Sequence, residues 1–339
     1  MKKFICILLV VLLLLVPLAA CQNTPPETTP APTPAQTTPT ETPEPADEED
    51  ENHLIGMIVP AATHGWTAAI AYHAEQMAIE LGWQVGTDYL IWTSTSVSEM
   101  ANQIDDMIAL NPAAIVLMPH NDELSITAQQ ITDAGIPWVL FNRRVTAEYT
   151  AYMAGDNFSM GRESARHIGN WLGGEGTVAV MHVPTAGSTS VERVSGFVEV
   201  MEAEFPDIVL IDVTSEAFTQ EAGLAMATDM LTANPHLDAI YSINDIPSLG
   251  VLQAVREAGR TDIQLISGGG GAQVWYNQIV ANEDIELFTA TYSPAMIRDA
   301  IQKAIDILAG REVPHTTRRP TTIINRDNVE QFLDPSLPY

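Results

Sequence analysis

Glycines 268 to 271, in "LISGGGGAQVW", end an apolar run and precede a helix-like stretch. A strand, a glycine turn and a helix start let a ligand come close to backbone N–H groups, which suits a phosphate but also other polar ligands. A phosphate loop of the nucleotide-binding kind would continue with Lys and Ser or Thr. This one continues "AQVW". His64 and His73 lack the short helical spacing of a zinc site, so no metal is expected. No Ser-His-Asp or paired-carboxylate arrangement stands out, so no catalysis or cofactor is expected either. The remaining candidates are groups that hold a ligand rather than react with it. They are His64 and Trp66 in "THGW", the adjacent Arg143 and Arg144 after "WVLF", Arg193 in "VERVSGF", and the pair Asn244 and Asp245. Each has a plainer reading beside it. Trp66 could be a core residue of its helix. Arg193 could pair with Glu192 or Glu199 on a helix surface, and Asn244 and Asp245 could cap a helix starting at Ile246. Of the adjacent Arg143 and Arg144, at most one is expected to face a ligand while the other pairs with surface acid.

These groups must be carried by elements that bring them together. The apolar runs "LIGMIV" (54–59), "YLIW" (89–92), "AIVLM" (114–118) and "WVLF" (138–141) come first. "TVAVMHV" (177–183), "IVLIDV" (208–213), "DAIYSI" (238–243), "IQLIS" (263–267) and "LFTATY" (287–292) follow. Helix-length amphipathic stretches separate most of them. Continuous apolar strands with crossover helices indicate parallel sheets covered on both faces. The series is too long for one comfortable sheet, and its spacing changes after Phe141. Two doubly wound α/β lobes are therefore predicted. Ligands of such sheets lie beyond the carboxyl ends of the strands, which points to segments 60–66, 142–144, 184–193, 214–218, 244–245, 268–273 and 292–294.

The N-terminus sets the compartment. Lys2 and Lys3 precede "FICILLVVLLLLV", and "LAAC" ends at Cys21. This pattern is a secretory signal, too short and wrongly flanked for a spanning helix. Residues 18–21 resemble the lipobox of bacterial lipoproteins, in which the cysteine is acylated and becomes the new N-terminus. Residues 22–52 are rich in Pro, Thr and acid, without apolar periodicity, and are expected to be a disordered tether. Extended like polyproline, they would reach on the order of 90 Å at about 3.1 Å per residue. Of the chain's 43 acidic and 15 basic residues, eight acids fall in the tether and two lysines in the signal, leaving a formal charge near −22 from His53 onward. Such a surface argues against nucleic acid and anionic lipid as partners.

From residue 54 to about 325 the chain resembles the type I periplasmic substrate-binding proteins of the ribose and galactose class, which serve ABC transporters. The resemblance is carried by "GWTAAIAYHAEQMAIELGW", "GIPWVLFNRR", "AGDNFSMGRESARHI", "STSVERVSGFVEVM", "EAFTQEAGLAMATDML" and "AIYSINDIPSLGVLQAVREAG" in that order. The lactose-repressor family shares the fold but has an N-terminal helix-turn-helix where this chain has an export signal. The resemblance implies two Rossmann-like lobes joined by a three-crossover hinge near residues 155, 292 and 318. One lobe would comprise 53–155 plus 293–318, the other 156–292 plus 319–339, after a signal peptide (1–21) and tether (22–52). It assigns an aromatic shelf to Trp66, ligand-facing arginines to Arg143 and Arg193, a cleft phenylalanine to Phe218 and a polar pair to Asn244 and Asp245.

Three departures stand out: Asn142 replaces a common aspartate, the glycine run lacks an expected acid most nearly at Gly269, and Tyr292 replaces a frequent glutamine. The resemblance therefore implies a monomeric, lipid-anchored solute-binding protein, not an enzyme, that delivers a monosaccharide-like ligand to an ABC permease. The altered residues point away from ribose and galactose themselves. A sensory co-receptor presenting the ligand to a membrane kinase or chemoreceptor is the alternative. Truncating either Arg143 or Arg193 is expected to weaken binding while barely changing the melting of the ligand-free protein. Gly269→Asp is expected to act on binding.

Overall fold

The computed structural model describes residues 53–62 and 65–339. Cys21, the tether and His64 lie outside the described residues. What is described belongs to one compact unit, Asp50–Tyr339. Its strands are β1 (Ile55–Pro60), β2 (Tyr89–Ser94), β3 (Ala114–Leu117), β4 (Trp138–Phe141), β5 (Ala151–Gly155) and β6 (Glu175–His182). They continue as β7 (Asp207–Thr214), β8 (Ala239–Tyr241), β9 (Leu265–Gly270), β10 (Glu286–Thr291), β11 (Thr316–Arg319) and β12 (Ile323–Ile324). Helices α1 (Gly65–Glu80), α2 (Val97–Ala109), α3 (Ser125–Asp133) and α4 (Asn157–Trp171) precede α5 (Ser188–Glu204), α6 (Gln220–Ala233) and α7 (Asp245–Glu257). Then come α8 (Gln273–Ala281) and α9 (Met296–Leu308). Among the described residues, no helix is long and apolar enough to cross a membrane.

The strands form two sheets, ordered β11-β5-β4-β3-β1-β2 and β12-β10-β9-β8-β6-β7. All pairings are parallel except β12 with β10. The first five strands of each half thus follow the same doubly wound order, as the two-lobe reading expected. Burial follows position. The central β1, β3 and β4 are buried throughout, whereas β7 at an edge alternates with solvent and leaves Val209 exposed. Three strands escape the apolar pattern. β5 is a short piece of the polar-rich stretch after Phe141, β11 is the polar, largely exposed edge "TTRR", and β12 has two residues.

The chain passes from the first sheet to the second after β5, returns after β10, and crosses again between β11 and β12. The return is enforced by α9. Its apolar Met296, Ile297, Ala300, Ile301 and Ala304 form one buried face, and they join the core of the first sheet although the preceding strand belongs to the second. A helix with its apolar residues on one stripe must bury that stripe.

In the second lobe the helices pack in pairs so closely that glycine is required. A Cβ at Gly161 of α4 would collide with the Arg193 carbonyl oxygen, and one at Gly196 of α5 with the Phe158 carbonyl oxygen. Gly223 and Gly250 do the same for α6 and α7 against Pro247 and Gln220. Backbone cannot yield as a flexible side chain does, so overpacking here separates two helices. Gly161→Ala and Gly250→Ala are each expected to lower stability by about 1–3 kcal/mol, read as a lower urea midpoint at unchanged slope.

Candidate functional site

In a sheet of this order the crevice lies at the switch point, between the strands from which the chain winds in opposite directions. In the first sheet these strands are β1 and β3, in the second β6 and β8. Beyond β1 comes Trp66, and beyond β3 comes His120. Beyond β6 lies the N-terminal turn region of α5 with Arg193, and beyond β8 come Asn244 and Asp245.

Trp66 is half-buried and packs against the cores of both sheets. Its indole N–H donates to the Tyr292 carbonyl at 2.8 Å, and the two rings lie 5.8 Å apart. Tyr292 follows β10 where the chain returns to the first lobe. Its hydroxyl donates to Asn142 Oδ1 at 2.6 Å, and the Arg193 guanidinium lies over its ring at 5.2 Å. Gly155, at the first crossing, leaves room for that ring, because a Cβ there would strike it. Burial pushes the Tyr292 phenol above its ordinary range against the opposing pull of Arg193. Asn142 itself takes a left-handed backbone, φ 63°, which asparagine tolerates better than most residues. Its carbonyl accepts from the Tyr152 hydroxyl at 2.8 Å.

The two arginines differ. Arg143 is half-buried and donates from Nη1 to the His120 carbonyl at 2.8 Å, leaving further guanidinium N–H groups for other partners. Desolvation holds it below its usual range. The His120 ring in turn lies 3.0 Å from Ser94 Oγ. Arg193 is only 4% exposed. It donates from Nε to Asn157 Oδ1 at 2.9 Å and from Nη1 to the Ile243 carbonyl at 2.7 Å. It is not the surface ion pair with Glu192 or Glu199 that its helix position allowed; Glu199 pairs with Arg162 instead. Arg144 is exposed and lies over the Tyr152 ring at 4.6 Å.

Asp245 is fully buried and turned toward the glycine strand. Its carboxylate accepts from the Gly271 and Ala272 N–H groups at 2.6 and 2.7 Å and from the Thr289 hydroxyl at 2.6 Å. Burial pushes its pKa up, and these donors oppose the rise. Asn244 is the N-cap of α7, its side chain accepting from the Ile246 N–H at 3.0 Å. The glycine run is not simply a turn, because Gly268–Gly270 pair with β10 as strand. Nor does Gly269 mark a vacated acid position: a Cβ there would lie 2.5 Å from the Ile243 carbonyl oxygen. Gly269→Asp, expected to act on binding, would therefore also disturb the β9 backbone. Phe218 is half-buried, and its packing is against the core of the second sheet. His73 is a buried residue of α1, its imidazole held low chiefly by burial.

Trp66, Asn142, Arg193 and Tyr292 thus form one connected group, with Arg143 held separately on His120. His120, Tyr152 and Asn157 were missed. His120 was within reach, since it follows the apolar run "AIVLM" by two residues and the strand-end rule applies to it equally.

A family model described as periplasmic binding protein domain matches residues 55–312. The chain belongs to the periplasmic binding protein family. A xylitol-binding protein of Mycolicibacterium smegmatis is 30% identical over 186 residues, a match spanning 53% of each chain. The ribose import binding protein of Bacillus subtilis is 24% identical over 325 residues, 94% of this chain and 98% of that one. In fold, the chain is similar to an ABC transporter periplasmic solute binding protein from Actinobacillus succinogenes with bound D-allose. The TM-score is 0.74 at 22% identity, covering 82% of this chain and 99% of that one. Membership makes this a binding protein rather than an enzyme.

The burial of Arg193 changes one expectation. Truncation would strand Asn157 Oδ1 and the Ile243 carbonyl in a dry interior, so the ligand-free binding protein must also suffer. Arg193→Ala is expected to lower its stability by about 2–3 kcal/mol by chemical denaturation, while Arg144→Ala changes it little.

Proposed function

We propose that this binding protein captures a monosaccharide or closely related polyol outside the cytoplasm and delivers it to the permease of an ABC transporter. The observation that carries the reading is the set of groups beyond the carboxyl ends of strands in both sheets: the aromatic faces of Trp66 and Tyr292, the forks of Arg143 and Arg193, and the amides of Asn142 and Asn244. Aromatic faces cover the C–H side of a sugar ring, while planar guanidinium and amide groups bond its hydroxyls in the ring plane. Phe218 would complete the second lobe's side. The names of the relatives agree with this class, since they bind or import xylitol and ribose, and the similar fold holds D-allose. The buried carboxylate Asp245 is engaged with backbone N–H groups, so the pocket is rich in arginine and poor in free acid. This favours a ligand other than ribose or galactose.

The two lobes, 53–155 with 293–318 and 156–292 with 319–339, would move as bodies about the three crossings. Ligand touching both would shift the population toward the closed form by its greater affinity for it. Acylation of Cys21 would hold the protein on the membrane, with residues 22–52 as its leash, and the protein would act as a monomer.

A thermal-shift screen of residues 53–339 against pentoses, hexoses, pentitols, sugar acids and nucleosides tests the reading. A ligand at one hundred times its dissociation constant should add about 2.7 kcal/mol of stability. With the best ligand, Arg143→Ala should weaken binding roughly thirty- to a hundredfold by calorimetric titration while ligand-free melting stays near the parent value. Unchanged affinity would place the site elsewhere. In cells, Cys21→Ala should abolish lipid labelling, and residues 53–339 should still bind the ligand.

A further inference from the structure

The six residues 334–339 run from the second lobe into the crevice and end in a buried aromatic ring. Tyr339 is only 7% exposed and joins the core of the second sheet. On one side its ring packs on Gly65, at the start of α1 in the first lobe, where an added Cβ would lie 3.2 Å from Cδ2. On the other its hydroxyl fills the space beside Gly270, at the end of β9, where an added Cβ would strike it. Arg193 and Asp245 are close enough to act on it electrostatically. The one ring thus lies against an element of each lobe.

The anchor and the ring are held differently. The Asp334 N–H donates to Gln273 Oε1 at 2.8 Å, and Gln273 Nε2 donates to the Phe332 carbonyl at 3.0 Å. The Leu337 N–H donates back to the Asp334 carbonyl at 3.1 Å. The Tyr339 hydroxyl, by contrast, is buried with no hydrogen-bond partner. A buried phenol without a partner forfeits its hydration, so this ring is seated by packing and opposed by its own polar atom. A sugar ring carries hydroxyls that Arg193 and its neighbours can bond.

We propose that residues 334–339 are a tethered occupant of the crevice, in which the Tyr339 ring holds the place of the ligand's ring and must be displaced for ligand to bind. This rests on the crevice being the ligand site. The apparent affinity is then the intrinsic affinity reduced by the fraction of molecules in which the crevice is vacant.

The test has a ligand-free arm and a sugar arm, both on the full chain with its parent as reference. In the first, hydrogen exchange is followed at residues 65–67 and 270–272. Tyr339→Ala should speed exchange at both segments, one in each lobe, and Tyr339→Phe should keep the parent's protection. Exchange unaltered by Tyr339→Ala overturns the proposal. In the second, xylitol, D-ribose and D-allose are titrated calorimetrically. Tyr339→Ala should bind more tightly, by about tenfold if the ring occupies the crevice nine-tenths of the time. Tyr339→Phe removes the unpaired hydroxyl, seats the ring more firmly, and should bind roughly fivefold more weakly. Affinity in Tyr339→Ala at or below the parent's, or in Tyr339→Phe at or above it, overturns the proposal; the first result would make Tyr339 a wall of the pocket. If none of the three compounds binds any form while exchange responds as expected, the occupant stands and the sugar reading fails.

Discussion

The connected group of Trp66, Asn142 and Arg193 depends on one residue placed where the chain returns between lobes. Tyr292 gives its carbonyl to Trp66, its hydroxyl to Asn142 and its ring face to Arg193. These partners come from α1, the end of β4 and α5, so one residue, by its carbonyl and its side chain, ties the first lobe to the second at a crossover. Such a tie is cheap in entropy, because Tyr has few rotors and Gly155 leaves its ring a fixed seat. The same ring then orients the groups proposed to meet ligand. A bonded and stacked group loses little further freedom when it engages a partner, which is how preorganisation raises affinity.

The buried charges follow a similar logic. Arg193 and Asp245 are both inside the second lobe, yet they are not a bonded ion pair. Each is satisfied by amide, hydroxyl or backbone dipoles: Asn157 and Ile243 for the arginine, Gly271, Ala272 and Thr289 for the aspartate. Charges solvated by fixed dipoles stay in place when a ligand enters, whereas a direct ion pair would have to break to bond it. Meanwhile the acidic exterior, near −22 from His53 onward, says nothing of this interior. A site can differ in sign from the surface around it.

Much of this architecture is written in apolar runs. The buried strands β1, β3 and β4 must be continuous hydrophobic segments because helices cover both faces, and they are legible for that reason. β11 and β12 were not, since a polar edge strand and a two-residue bridge carry no pattern apart from the sheet they join. At the site, the strand-end rule led directly to Trp66, Arg143, Arg193 and Asn244. It could not tell that Arg193 would be buried on Asn157, because that bond joins α4 to α5 and depends on how closely Gly161 and Gly196 let the helices approach. The glycine run shows a similar dependence on packing. Three of its four glycines are strand, kept free of side chains because β9 lies against the Ile243 carbonyl, Asp245 and Trp275. Tyr339 gave no signal at all: an aromatic residue after "DPSLP" has no periodicity, and only the folded crevice shows where it goes.

Three crossings join the two lobes, and the proposed closure would have to use them. Each lobe has its own core, and the helix pairs of the second lobe are locked by backbone contacts that tolerate no slippage. Under the proposed closure, motion would fall on the few residues near 156, 292–295 and 320–322, where strands of different sheets are joined. Yet Tyr292 sits in the middle of these crossings, and its bonds reach both lobes. Any opening that separates Trp66 from the second lobe must either carry Tyr292 with the first lobe, leaving Arg193 without its ring, or break the Trp66 and Asn142 bonds. The first route loses a stacking contact and strains the Tyr292 N–H bond to the Gly270 carbonyl at 2.9 Å, and the second loses two part-buried hydrogen bonds. Tyr292 is thus the residue whose bonds would set the cost of the proposed opening, because it is held from both lobes at once.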